Sequence, residues 1–301
     1  MSTRTMLETD LPALLLVDKP EGPTSHDVIQ VARKVLGVKR VGHTGTLDPF
    51  ASGLLLLCVG RSTRLAEYFH LLPKTYSATA VLGVETDTED CTGETTVSSD
   101  EWRSLRREDI EGAADRFRGE HDQVPPVFSA KKVAGRRAYE AARAGDSVEL
   151  VARTVNVHSL AIGDVRLPEV DFVAEVSTGT YVRSLARDLG RDLGCGAHLS
   201  RLRRLSIGPF SVVDAVGLTE LAEAAIPAGA SRSAAQALSW LPTRNLSESE
   251  VSEIEHGRMI PDLAEREDED LPVAMVAGER LVSVGRRDPE GLRPEKVFHA
   301  G

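Results

Sequence analysis

Leu54-Leu55-Leu56-Leu57-Cys58-Val59 is a run of six apolar residues without a polar position. Successive side chains of a strand point to opposite faces, so a strand made of this run is apolar on both. Six residues suit a strand better than a helix. Such a strand needs cover on two sides, and the chain must build a layered core around it. Just before it comes Arg40-Val41-Gly42-His43-Thr44-Gly45-Thr46-Leu47-Asp48-Pro49. Two glycines flank His43 and Thr44, which lets the backbone turn tightly or approach a ligand closely. Pro49 pushes Asp48 out of the helical region toward an extended geometry. A short acid is thus held in a fixed direction on a loop beside a buried strand. On composition alone the same decapeptide is ordinary turn chemistry.

The rest of the chain narrows the class. At 301 residues it is long enough for two domains, and 41% hydrophobic with 27% charged residues is a globular composition. No apolar run reaches the roughly 20 residues a bilayer span needs, and residues 1–10 do not read as a secretory signal. Three scattered cysteines, Cys58, Cys91 and Cys195, do not suggest a disulfide framework, so a cytoplasmic protein is expected. The net charge of -10 argues against nucleic-acid binding only as a single number. From Ser247 onward 14 acids face 7 bases, while the preceding part holds 32 acids and 29 bases. Bases cluster at Arg33, Lys34, Lys39 and Arg40, at Lys131, Lys132, Arg136 and Arg137, and at Arg201, Arg203 and Arg204. Each cluster can follow a phosphate backbone or be a solvated face.

Periodicity and punctuation predict strands over 14–17, 54–59, 74–83, 148–157, 170–177, 202–207 and 210–213. Helices are expected over 28–35, closed by Gly37, over 107–117, and after Ser177-Thr178-Gly179-Thr180, which reads as their cap. Tyr181 and Arg183 fall in the first turn of that last helix. Ala-rich helices are expected over 218–238. Leu241-Pro242-Thr243 reads as a linker, followed by a helix over 247–255 and strands near 273–276 and 281–284. The acids from Glu85 to Asp90 read as a polar turn, without the spacing of a calcium loop.

Arg40 to Pro49 closely resembles the catalytic loop of the tRNA pseudouridine-55 synthases, the bacterial TruB family. Lys74-Thr75-Tyr76, Gly179-Thr180-Tyr181-Val182-Arg183 and Leu199 to Leu205 match the same family in order and spacing. So do Asp18-Lys19-Pro20 through Ser25, which the family packs beneath its active site. The resemblance implies an α+β fold. A mixed, largely antiparallel sheet domain over 1–241 would carry the chemistry, and a small β-rich, PUA-like RNA-binding module would span 242–301. It implies isomerisation of uridine 55 in the tRNA T-loop. Asp48 would be the nucleophile and Arg183 its partner. Tyr76 would stack on the uracil and take part in proton transfer, Tyr181 and Leu202 would line the base and ribose pocket, and His43 would contact the T-loop. The expected partner is the tRNA T-arm, bound by a monomer.

The chemistry fits those residue types. The uridine N-glycosidic bond breaks, the base rotates, and C5 joins C1′; nothing is oxidised and no group is lost. No metal or cofactor is therefore expected, and the sequence holds no phosphate-binding glycine motif or paired Cys-x-x-Cys. Cys195 and His198 lack further ligands at metal spacing. A carboxylate in a dry cleft has its pKa raised, and a guanidinium fork counters this while fixing its direction. The rival readings are a helper that grips and folds the T-arm without chemistry, and a related synthase acting on another RNA.

Overall fold

The computed structural model describes residues 11–127, the backbone of 132–133 and 136–137, and residues 151–262 and 270–299. Its main sheet follows β1 (Leu14–Lys19), β2 (Ser52–Val59), β3 (Lys74–Leu82), β4 (Gly119–Gln123), β5 (Arg153–Arg166), β6 (Glu169–Val176) and β7 (Ala197–Ile207). In space they run β1-β2-β7-β3-β6-β5-β4. The β2–β7 pair is parallel and the other neighbours are antiparallel. This is the mixed, largely antiparallel α+β architecture expected.

The apolar run is β2, one strand in from β1. Its alternation sends side chains into two cores. Leu55, Leu57 and Val59 join Val28, Ile29, Ala32 and Leu36 of helix α1 (Ser25–Leu36). Leu54, Leu56 and Cys58 join a cluster on the other face. α1 starts on a capping box between Thr24 and Asp27 and ends on Gly37 at φ +66°, as the turn residues require. Two further helices, α2 (Arg107–Arg116) and α3 (Val182–Asp192), follow.

The second face of β2 is covered in part by a C-terminal module. It holds β8 (Thr243–Asn245), helix α4 (Glu248–Glu255), β9 (Val273–Ala277), β10 (Arg280–Asp288) and β11 (Gly291–Val297). These strands form their own sheet in the order β8-β9-β10-β11. Ala274, Val276, Leu281 and Val284 of this sheet share one apolar cluster with Leu14, Leu16, Leu54 and Leu56. Arg64 donates to Val297 O at 2.9 Å, and Lys296 donates to Arg64 O at 2.7 Å and pairs with Glu67. The module is thus packed onto the main sheet.

Four local expectations change. The Ala-rich stretch is broken: helices cover only Leu218–Ala222 and Ala234–Ala237. Ala224 takes φ +60°, and Pro227 precedes a single 3-10 turn at Ala228–Ala230, so composition overstated helix where the chain must turn. β5 runs on to Arg166 because it pairs with β6 as a long hairpin, while 148–150 lie outside the described residues. Phe210–Ser211 pairs with β7, but Val212–Asp214 is a 3-10 turn. The N-cap of α3 is Tyr181 and not the Ser177–Thr180 segment. The basic side chains of 131, 132, 136 and 137 lie outside the described residues; backbones 132–133 and 136–137 pair with each other.

Candidate active site

The loop carrying Asp48 is anchored from several sides. Val41–His43 pairs with the end of β2, and Thr44 N donates to Leu56 O at 3.1 Å. Ser25, the first residue of α1, holds Leu47 by both backbone groups: its Oγ donates to Leu47 O at 3.0 Å and accepts from Leu47 N at 2.9 Å. Gly22 N donates to Pro49 O at 2.8 Å. From β7, Arg204 donates through Nη2 to Gly45 O at 3.1 Å and through Nε to Leu54 O at 2.7 Å. Gly53 makes that crossing possible. Its φ is +106°, and a Cβ there would stand 2.2 Å from Arg204 O, a contact only glycine avoids.

Opposite charge reaches Asp48 from α3. Arg183 Nε stands 3.0 Å from Asp48 Oδ2. Its Nη1 donates to Thr88 O at 2.7 Å and lies 3.4 Å from Asp90 Oδ2. Arg183 is buried, so these contacts fix its plane. The Ser177–Thr180 segment does not cap α3. The N-cap is Tyr181, with no side-chain cap of its own. Gln123 takes that role across space, accepting from Tyr181 N at 2.8 Å and donating to Tyr181 O at 3.1 Å. The acids of 85–90 are more than a polar turn. Arg183, Arg187 and Arg191 recur every four residues on α3, and they meet Asp90, Glu89 and Glu85 in turn. Glu89 stands at φ +62°, buried, and accepts from Ser184 Oγ at 2.7 Å.

Burial raises the Asp48 pKa above the ordinary carboxylate value. The Arg183 charge pulls it back, Asp90 pushes it up, and Lys19 and Arg204 pull it down. Lys19 is fully buried at the end of β1, with Nζ donating to Pro20 O and Pro23 O, both at 2.9 Å. Burial brings its pKa down to about 8, which the Asp48 charge resists. Lys19 is thus part of the electrostatic surroundings of Asp48.

Asp48 and Arg183 border a cavity of about 330 Å³, at the small end of ligand sites, roughly 300–1,000 Å³. Tyr76, Tyr181 and Leu202 line it as well. Tyr76 lies opposite Arg204 in the β3–β7 register, and Leu202 lies opposite Ala78. Five of the six residues singled out from sequence thus share one wall system. His43 lies two residues before Gly45, outside the cavity lining, with Nδ1 buried and without a hydrogen-bond partner among the described residues. Burial and the Arg204 charge lower its pKa. Sequence reasoning missed Lys74 and Arg204 as cavity residues, and Ser25, Gln123 and Asp90 as supports. Lys74 was legible in principle, because it alternates onto the same face of β3 as Tyr76. Arg201, Arg203 and Arg204 do not act as one surface patch. Arg203 forks onto Asp18 at 3.0 and 2.7 Å, and Arg204 is buried.

Among the described residues, no group of three or more His, Cys, Asp or Glu side chains is placed to hold a metal ion, and no helix is long and apolar enough to cross a membrane. Two family models match in tandem: the TruB family pseudouridylate synthase N-terminal domain over residues 33–182, and the tRNA pseudouridylate synthase B C-terminal domain over 183–240. The chain belongs to the TruB family of tRNA pseudouridine synthases. It is an isomerase of that class. Curated relatives named tRNA pseudouridine synthase B agree. The Arthrobacter sp. protein is 45% identical, over 83% of this chain and 82% of its own. That of Geobacter sulfurreducens is 41% identical, over 90% and 89%. Among solved structures, an H/ACA RNP bound to a substrate RNA containing 2′-deoxyuridine matches this TruB-family chain with a TM-score of 0.73. The identity is 26%, over 95% of this chain and 85% of the other. A Cbf5-Nop10-Gar1 complex matches with the same score and identity, over 95% and 84%.

Proposed function

We propose that the protein converts uridine 55 in the T-loop of tRNA to pseudouridine, with Asp48 as nucleophile. The observation that carries this reading is the Asp48–Arg183 pair at 3.0 Å on the wall of a cavity that also presents Tyr76. Burial raises the pKa of this carboxylate, and a guanidinium that two further acceptors keep in place opposes the rise and aims the group. Tyr76 offers a ring for the uracil to stack on and a hydroxyl for proton relay. Tyr181 and Leu202 bound the base and ribose. The target base is stacked in a folded loop and must be flipped out, at a cost of a few kcal/mol. His43, beside the loop, is assigned to contact with the T-arm at the space the base leaves.

The division of labour follows the same reading. Residues 1–241 form the catalytic domain and 242–301 a PUA-like RNA-binding module; the second family match ends at residue 240, which supports the boundary. The protein acts as a monomer on the T-arm in the cytoplasm, without a cofactor. The test is single-turnover tritium release from C5-labelled uridine in a T-arm stem-loop, run beside a binding titration and pseudouridine mapping. Asp48→Asn keeps the loop and removes the attacking charge. It is expected to bind as the parent does and to lose at least about 10³-fold in rate, roughly 4 kcal/mol. An Asn variant that turns over near the parent rate overturns the nucleophile. A parent that binds the stem-loop and releases no tritium makes the protein a T-arm helper. Release from another RNA alone makes it a synthase of different target.

A further inference from the structure

The cavity holds more positive charge than its carboxylates balance. Arg183 is answered by Asp48 and Asp90. Neither Lys74 nor Arg204 forms a direct ion pair with an acid among the described residues, although the Asp48 charge reaches Arg204 across the cavity. Both line the cavity, at 7% and 1% exposure. Lys74 Nζ donates to Leu72 O at 2.9 Å and Thr178 Oγ1 at 2.6 Å; Arg204 donates to the carbonyls of Leu54 and Gly45. All four acceptors are neutral. Lys74 and Arg204 are also close enough to repel, and that repulsion together with burial brings the Lys74 pKa down to about 8. Two buried cations beside each other, neither directly paired with a carboxylate, are a site that an arriving negative charge stabilises.

The inference rests on the reading that the cavity takes the target uridine. Bound uracil is neutral. As the Asp48 carboxylate bonds to C1′, the C1′–N1 bond breaks and its electron pair leaves with N1, so the base becomes an anion, its charge shared with O2 and O4. C5 then bonds to C1′ as the Asp48–C1′ bond breaks and frees the carboxylate, the C5 proton leaves and N1 takes a proton, so atoms and electrons balance without an oxidant. The negative charge therefore appears at depth, on the base, between those two steps. Backbone phosphates fit the place less well. They stay with the RNA strand outside, whereas Lys74 and Arg204 are buried in the cavity wall.

We propose that Lys74, backed by Arg204, receives the negative charge that develops on the detached uracil, and so accelerates the chemical step rather than RNA binding. Preorganised donors aimed at a developing anion contribute most where water is excluded. The charged groups that face Lys74 are Arg204 on β7 and His70 before β3, with the Thr178 hydroxyl beside them. Burial and the Lys74 charge lower the His70 pKa, away from the alkaline range. Lys19 also titrates near 8, and the variants separate it from Lys74.

The experiment compares the parent, Lys74→Met and Lys74→Arg at saturating protein with a T-arm stem-loop carrying C5-tritiated uridine, from pH 6 to 10. The parent rate is expected to fall as pH rises through the region of 8. Lys74→Met is expected to bind the stem-loop within about twofold of the parent, to lose about 10²-fold in rate, and to lose the alkaline limb. Lys74→Arg is expected to keep a measurable rate with no limb below pH 10, because arginine stays charged. A Lys74→Met protein that keeps the limb assigns it to Lys19 and overturns the inference. So does a loss of affinity equal to the loss of rate. If Lys74→Met does not fold, the Lys74→Arg profile decides alone, and a limb still near 8 overturns the inference. A parent that releases no tritium overturns the functional reading beneath it, which is a separate outcome.

Discussion

Ser25 Oγ donates to Leu47 O at 3.0 Å and accepts from Leu47 N at 2.9 Å, so one hydroxyl of α1 satisfies both backbone groups of the residue before Asp48. The pair spans 22 positions of sequence and is buried. Helix α1, through its first residue, is thereby a support of the loop that carries Asp48. Ser25→Ala leaves a buried N–H and a buried C=O without that partner. The expected cost is about 1–3 kcal/mol of stability, read from the denaturant midpoint, with a loss of single-turnover rate larger than the loss of T-arm affinity.

Arg183 serves three acceptors at once: Asp48, Asp90 and the Thr88 carbonyl. An ammonium is a point donor and does not span them. Arg183→Lys is expected to keep charge but lower the single-turnover rate by at least about 10²-fold, near 2.7 kcal/mol. Affinity measured by titration should change little. A rate within threefold of the parent would show that charge alone suffices at this position.

With Asp48 as the proposed nucleophile, the acid limb of activity is expected to report its carboxylate. Burial raises its pKa first, Arg183 opposes this, and Asp90 adds to the rise. The nucleophile must be ionised, so activity is lost as pH falls through the raised value, above the roughly 3.9 of a free aspartate. Asp90→Asn removes one of the raising charges. The midpoint of the acid limb is then expected to move to lower pH, whatever happens to the plateau rate. A shift to higher pH would contradict the assignment of the limb to Asp48.

The C-terminal module contributes to the core. Removal of residues 242–301 uncovers the cluster that joins Leu14, Leu16, Leu54 and Leu56 to Val276, Leu281 and Val284. A chain ended at Leu241 is expected to melt at a lower temperature and to bind a hydrophobic dye that the full chain excludes. It loses none of the cavity residues. If the shortened chain melts as the parent does, the shared cluster is not stabilising, and the module is only an attachment.

Much of this was legible in the sequence because it is local. Six consecutive apolar residues require a strand covered on both faces, and β2 is that strand. Thr24, Asp27 and Gly37 set the ends of α1 through contacts a few residues long. The family was readable from five short segments. Contacts between distant residues were not legible. The polar turn at 85–90 gave no local sign that its acids would meet Arg183, Arg187 and Arg191. Nor did Ser177–Thr180 show that Gln123, 58 positions before Tyr181, would cap α3 instead.

By itself, the sequence determined which residues could carry the chemistry and which segments had to be buried, since both follow from side-chain type and short-range backbone preference. Only the tertiary structure decided what surrounds them. The second cover of β2 turned out to be, in part, the acidic module. Arg204, read as one base of a surface cluster, became a fully buried cation under the catalytic loop. The reason is physical: burial, and with it the strength and direction of a charge, depends on which distant segments exclude water from a group, and one-dimensional spacing does not encode that.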